Sequence, residues 1–228
     1  MYVNYEKSYD TFHSKAEHIY RIQYNIIQNG VNTVECAAAV PAVGPALRDN
    51  FPEVEQFTRL FPVSGVMSYK SPEKGFISFR EEKMQITDPA VFQVFFFNLL
   101  KGNPETSLEG PGKVVISQTA SKKYFGDGDP MGKTLQWDGD IEFEVTGIFE
   151  DVPENSHIKF DFLFSYQTLN DRTDNSSETS WGWYDFNTYV LLDAEADVDQ
   201  LQSKRDEYVA LERGDHGKNA NFEVNSLC

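Results

Sequence analysis

Three stretches of this chain alternate apolar and polar residues with a period of two. Tyr20, Ile22, Tyr24 and Ile26 alternate with Arg21, Gln23 and Asn25; Ile141, Phe143 and Val145 alternate with Glu142, Glu144 and Thr146; Ile158, Phe160, Phe162 and Phe164 repeat the pattern. Period two is the signature of a strand with one face in a core and one in water, so the chain must build a sheet that is covered on one side. Helical spacing also occurs: Tyr9, Phe12, Ala16 and Ile19 share one helical face, and Val198, Leu201, Tyr208 and Val209 share another behind the cap residue Asp197. The mixture predicts an α+β fold.

Between these signals the expected elements are a short helix over 42–50, halted before Pro52, and a strand over 54–61. A strand over 75–79 follows, then a helix opened by Asp88-Pro89 that carries Val91, Phe92, Phe95, Phe96, Leu99 and Leu100 on a broad apolar face as far as Gly102. Val114–Ile116 reads as a strand, Ser117 as the cap of a helix ending at Gly126, 171–180 as a polar loop, Tyr189–Leu192 as a buried strand and Phe222–Leu227 as a final strand. Strand-helix-strand texture at the two ends flanks a middle of different texture. That predicts one α+β subdomain, residues 1–65 and 157–228, with a second subdomain, 66–156, inserted into it. The insertion is expected to hold its own small core around Phe92, Phe95, Phe96 and Leu99.

The 228 residues carry a formal charge of −16, which repels nucleic-acid phosphates and anionic lipid, so no nucleic-acid partner is expected. With 18 Phe and 11 Tyr the chain has ample material for a core without disulfide or metal. The two cysteines, Cys36 and Cys228, form no CxxC or zinc spacing. No run reaches the length of a membrane helix, and Met1 leads into Tyr2-Val3-Asn4-Tyr5 with no leader pattern. Composition by itself therefore suggests a soluble cytoplasmic chain.

The chemistry-bearing patterns are weak. Asp127-Gly128-Asp129-Pro130 reads as a turn, because a calcium loop needs oxygen ligands where Met131 stands. Gly126–Lys133 (GDGDPMGK) has the wrong spacing for a phosphate loop and puts Pro130 among the amides that would bind phosphate. His13, His18, His157 and His216 are scattered, and Asn175-Ser176-Ser177 is a lone glycosylation pattern. No catalytic, cofactor-binding or metal-ligating residue is named. Trp181, Trp183 and Tyr184 form the one aromatic group that reads either as a ligand or partner surface or as packing at a strand entrance.

Three blocks are more specific. Ser8-Tyr9-Asp10-Thr11-Phe12-His13, running on through Ala16 to Ile19-Tyr20-Arg21, is followed by Val115-Ile116-Ser117-Gln118, Lys123-Tyr124-Phe125-Gly126 and Asp129-Pro130-Met131-Gly132-Lys133. The third is Phe143–Ile148 with Asp151-Val152-Pro153-Glu154-Asn155-Ser156-His157. In order and spacing they resemble the extracytoplasmic core domain of ABC-transporter permeases of the MacB, FtsX and LolC type, closest to the Bacteroidetes-like set. The resemblance implies a porter-like part built from both chain ends and an inserted "sabre". It replaces the cytoplasmic reading with a periplasmic domain between the first two membrane helices of an inner-membrane permease. It further implies a permease homodimer, a cytoplasmic ATPase, no enzymatic activity and no cofactor, with ATP-driven movement relayed outward to an adaptor, peptide, lipoprotein or cell-wall hydrolase. Two other readings stand beside it: a free-standing periplasmic ligand-binding module using Trp181–Tyr184, and a hydrolase using a carboxylate pair.

Overall fold

The computed structural model describes residues 16–28, 31–36, 38–204 and 220–226. The expected helix through Tyr9 and Phe12 lies outside them, except for a single 3-10 turn at Ala16–His18. Eleven strands form one hydrogen-bonded network: β1 (Ile19–Gln28), β2 (Val31–Cys36), β3 (Val54–Ser71), β4 (Gly75–Thr87), β5 (Leu99–Lys101), β6 (Lys113–Ser117), β7 (Thr134–Trp137), β8 (Ile141–Phe149), β9 (Phe162–Ser165), β10 (Asn187–Leu192) and β11 (Ala220–Ser226). The helices are α1 (Val43–Asn50), α2 (Val91–Phe95), α3 (Gln118–Phe125), α4 (Tyr166–Arg172) and α5 (Ser176–Thr179). A further helical stretch over 198–204 starts where Asp197 Oδ1 accepts from Gln200 N at 3.0 Å, the expected cap.

The network has two parts that share β3. The first is an open sheet ordered β11-β1-β10-β3. Its neighbours are all antiparallel, so β1 and β3 run the same way with β10 between them, and β1, α1 and β3 make a split βαβ unit. The early strand thus pairs with strands from the last third of the chain, as the texture of the two ends predicts. The second part is a closed ring. β3 pairs β4, β4 pairs β9, β9 pairs β6, β6 pairs β8, β8 pairs β7, and β7 returns to β3 through Met67↔Trp137 and Ser68↔Gln136. Closure removes edges along the paired stretches. Gly65 belongs to this closure: a Cβ there would lie 2.0 Å from Trp137 Nε1.

Three cores follow from this arrangement. On one face of the open sheet α1 buries Val43 and Leu47 against Ile22, Phe57, Val190 and Val224. The ring encloses Met67, Met84, Val114, Ile116, Leu135, Phe143, Val145, Phe162 and Phe164, and α3 contributes Ala120 and Tyr124. The third core joins the parts: Phe92 and Phe95 of α2 meet Ile19, Tyr189 and Leu191 of the open sheet and Val115, Phe149 and Leu163 of the ring.

Several expectations are corrected here. The helix from Val91 stops at Phe95, because Phe96 takes a left-handed φ of 54° and redirects the chain into β5. Its aromatic residues do not form a core private to the middle of the chain, since Phe95 stacks edge-on against Tyr189 at 4.9 Å and Phe96 is exposed. Asp88 does not cap that helix; the cap position is Ala90, with no side-chain bond, and Asp88 is committed elsewhere. The strand predicted over 158–164 shortens to β9, although Ile158 and Phe160 are buried all the same. The polar segment 171–180 contains the end of α4 and all of α5. β3 is one strand of 18 residues, and position 65/66 lies within it.

Candidate functional site

The first functional feature is the end of the sheet where the chain enters and leaves it. In β1, Ile19 pairs with Leu191 and Tyr20 with Ser226, so the first described strand begins beside the finish of the last. Leu192, at the end of β10, pairs with Val54, at the start of β3. Four strand ends therefore gather here. From this near end β3 covers about 60 Å at ~3.3 Å per residue before it turns into β4.

A third of the way along β3 sits a buried ion pair that sequence reasoning missed. The Arg59 side chain is 2 % exposed. Its Nη2 donates to Asp88 Oδ1 at 2.6 Å, while Nε and the backbone N–H of Arg59 both donate to Asp88 Oδ2, at 3.0 and 2.7 Å. Nη1 donates to Pro41 O at 3.0 Å, Nη2 reaches Glu178 Oε2 at 3.3 Å, and the guanidinium lies 3.7 Å from the Tyr166 ring centre. Burial alone would push Arg59 toward losing its proton, but the Asp88 carboxylate more than offsets this and holds the cation. The Tyr166 hydroxyl is pushed up to about 12, mainly by burial and against the pull of Arg59. One side chain thus ties β3 to the β4–α2 junction, the loop before α1, and α4 and α5. The available signal was a lone arginine inside the apolar run Phe57-Thr58-Arg59-Leu60-Phe61.

The second and third sequence blocks build local structure. Ser117 Oγ accepts from Ala120 N at 3.0 Å and donates to Asp161 Oδ1 at 2.9 Å, capping α3 as expected. Asp151 takes the preceding amide, Thr119 N, at 2.9 Å, so side chains hold two amides of the first turn of α3. Gly126 ends the helix with φ 61°. Asp129 accepts from Lys101 Nζ at 3.0 Å, which lowers its pKa, and Lys133 Nζ lies 5.3 Å from the Phe125 ring centre rather than facing a phosphate cradle. In the third block Lys159 Nζ binds the carbonyls of Pro153 and Glu154, and His157 Nε2 meets Tyr189 Oη at 3.1 Å.

Beside the Asp127–Pro130 turn lies an open cleft of about 630 Å³ whose lining includes Lys101, Thr119, Lys122, Asp127 and Asp151. It carries both signs of charge. Thr119 Oγ1 donates to Asp151 Oδ2 at 2.7 Å, and Asp129 accepts from Lys101 Nζ at 3.0 Å. Among the described residues no group of three His, Cys, Asp or Glu side chains has the geometry to hold a metal ion.

The aromatic group splits. Trp181 packs on the core beneath α1, whereas Trp183 packs on the core inside the ring, edge-on to Phe61 at 5.1 Å and to Phe186 at 5.0 Å. Trp183 Nε1 donates to Asp185 Oδ2 at 2.9 Å, and Tyr184 is exposed between them. The three rings are neighbours in sequence, and the two indoles serve different cores.

These features define a class first: an α+β domain whose first and last described strands pair side by side, with a closed ring of strands hung on the sheet. A model of one family, the MacB-like periplasmic core domain, matches residues 1–207, and the chain belongs to that family. Solved structures agree on the fold. A domain of a protein described as a permease from Porphyromonas gingivalis superposes with a TM-score of 0.75 at 20% identity, covering 93% of this chain and 91% of that one. The periplasmic region of MacB from Actinobacillus actinomycetemcomitans gives 0.63 at 14% identity, covering 96% and 94%. The extracellular domain of the noncanonic ABC-type transporter YknZ from Gram-positive bacteria gives 0.59 at 18% identity, covering 90% and 98%. A comparison with curated proteins found no match.

Proposed function

We propose that this domain relays ATP-driven movement of an inner-membrane ABC permease to a substrate or partner in the periplasm, and performs no chemistry of its own. The observation that carries the reading is β3, a single strand that starts where the first and last strands meet and ends in the far ribbon with β4. A displacement imposed at the near end acts on a continuous strand, and Arg59 couples that strand to the helices around it. In this reading residues 1–65 and 157–228 form the porter-like part and 66–156 the inserted part, the two sharing β3. The permease works as a homodimer, with a cytoplasmic ATPase supplying the motion.

The test uses the full-length permease with its ATPase in a bilayer, with one spin label per protomer at Lys74→Cys in the far ribbon. The distance between the two labels is expected to change by several ångströms between the nucleotide-free and ATP-bound states, and to stay fixed when the ATPase cannot bind ATP. A distance indifferent to nucleotide overturns the relay. Nucleotide turnover by the isolated domain, lost in Lys133→Ala, overturns the non-enzymatic part.

A further inference from the structure

The ring is closed by its shortest junction. β3 meets β7 through Met67↔Trp137 and Ser68↔Gln136, whereas β4 runs beside β9 from Met84 to Thr87 and β6 beside β8 from Lys113 to Ser117. One further rung is made partly by a side chain. Asp138 N donates to Val66 O at 2.8 Å, and Val66 N donates to Asp138 Oδ1 at 2.8 Å. Asp138 has a left-handed φ of 49° and Gly139 follows at 83°, the turn residues of a tight β7–β8 hairpin. The Asp138 carboxylate thus stands where a backbone carbonyl stands elsewhere in an antiparallel ladder.

Only the tip of this hairpin leans on β3. Among the described residues, Thr134 and Leu135 of β7 pair with β8 alone, and Ile141 to Phe143 of β8 pair with β7 alone, because β8 meets β6 from Glu144 onward. The tip also holds an uncompensated group. Trp137 stacks on Phe164 at 5.2 Å against the ring's core, but its Nε1 is buried with no hydrogen-bond partner. Gly65 lies against that nitrogen: a Cβ there would be 2.0 Å from Trp137 Nε1 and 3.0 Å from Asp138 Oδ1. A buried N–H without an acceptor raises the free energy of the closed arrangement, and lifting the tip returns it to water. The tip is already at the surface, since Asp138, Gly139 and Asp140 are exposed, while every residue of β9 is buried.

We infer that the hairpin tip, Trp137 to Ile141, is a latch that lifts from β3 while the rest of the ring stays folded, so that the ring passes between a closed and an open form. Closed, β3 is joined through β7 to β8 and onward to β6. Open, this stretch of β3 keeps β4 on its other side, and α3 still holds the ribbon through Tyr124 Oη, which donates to Glu81 Oε1 at 2.6 Å, and through Phe125, which packs on Tyr69 at 4.5 Å. A movement carried along β3 enters the ring through β7 or bypasses it according to the latch. Only that consequence rests on the relay reading; the opening itself is a property of this chain alone.

Hydrogen exchange followed group by group by NMR on the 228-residue chain tests it. The amides of Val66 and Asp138 and the indole N–H of Trp137 are expected to share one opening, with protection at least about tenfold below that of the amides of β6 and insensitive to low urea, as local opening requires. Gly65→Ala puts a methyl where the indole sits, and should lower all three by a further factor of about ten while β6 keeps its protection. Asp138→Gly keeps the left-handed turn but removes the acceptor, and should act in the same direction. Asp138→Asn retains an acceptor oxygen and should stay within about threefold of the parent. Protection equal to that of β6, or lost with urea in step with β6, means that the seam parts only on unfolding and overturns the inference. Exchange at Asp138 with the Trp137 indole still protected marks a frayed turn and overturns it as well, as does Gly65→Ala with unchanged exchange. Should Gly65→Ala not fold, the two Asp138 variants and the urea dependence of the parent decide.

Discussion

Asp88→Ala isolates a guanidinium from its counter-ion. In the native chain Asp88 accepts three hydrogen bonds from Arg59, at 2.6, 2.7 and 3.0 Å, and the Arg59 side chain is almost wholly removed from water. Removing one member of a buried pair leaves the other charged and desolvated, which costs about 3–5 kcal/mol. Three contacts soften the loss: the Pro41 carbonyl at 3.0 Å, the Tyr166 ring at 3.7 Å, and Glu178, whose side chain is 40 % exposed and partly screened. The expected cost is therefore near the lower bound, about 3 kcal/mol. For a chain of this length that lowers Tm by roughly 6–12 °C. Urea unfolding followed by circular dichroism gives the free energy, and calorimetry gives Tm. Two companions sharpen the reading. Glu178→Ala should cost under about 1 kcal/mol, being a half-exposed partner. Arg59→Met with Asp88→Leu should recover part of that loss, because the apolar pair removes both charge-desolvation costs while the Arg59 backbone N–H and the Pro41 carbonyl lose their partners. A shift below roughly 2 °C for Asp88→Ala refutes the argument, and with it the role of Arg59 as a tie between elements.

Phe95→Ala should cost about 3–5 kcal/mol, since its ring is fully buried against Tyr189, while Phe96→Ala should cost almost nothing; equal losses from the pair would contradict the end of α2 at Phe95. Ser117→Ala removes the cap of α3 and the bond to Asp161, and about 1–2 kcal/mol of stability with them, measurable by denaturant titration. Burial and the hydrogen bond to Glu81 raise the Tyr124 hydroxyl far above its ordinary value of 10.0. A raised acid is bound more tightly by the folded chain, so its contribution is complete below pH 10 and declines as pH rises beyond it. Stability of the parent should fall above that pH more steeply than that of Tyr124→Phe, and parallel pH profiles would sink this account.

The legible parts of the fold were those whose pattern comes from local burial. Ile141, Phe143 and Val145 face the ring's interior or its rim while Glu142 and Glu144 face water, and the strand reads directly. β3 and β4 were read only as far as Phe61 and Phe79, because a register shift between Val63 and Gly65 interrupts the alternation and the ribbon beyond has polar residues on both faces. Phe96 could not be read as a helix end, since a left-handed phenylalanine has no local signature and is imposed by the path to β5. The pair of Arg59 and Asp88 spans 29 residues, and Asp88-Pro89 imitates a helix start so well that the cap reading displaced it.

The pairing of β1 with β11 has a consequence for how the chain is made. Tyr20 and Ser226 are partners, and β1's other long-range neighbour, β10, begins at Asn187. A nascent chain leaving a ribosome or a translocon exposes β1 for nearly the whole time of its synthesis before either partner exists. The ring can close earlier, since its last strand ends at Ser165. Assembly should therefore proceed outward from the ring, with the open sheet completed last by contacts of very long sequence separation. During that interval β1 has only its hairpin with β2, from Tyr24 to Gln28, and its first half lies unpaired, so export of this domain should depend on holdase chaperones more than its finished stability would suggest.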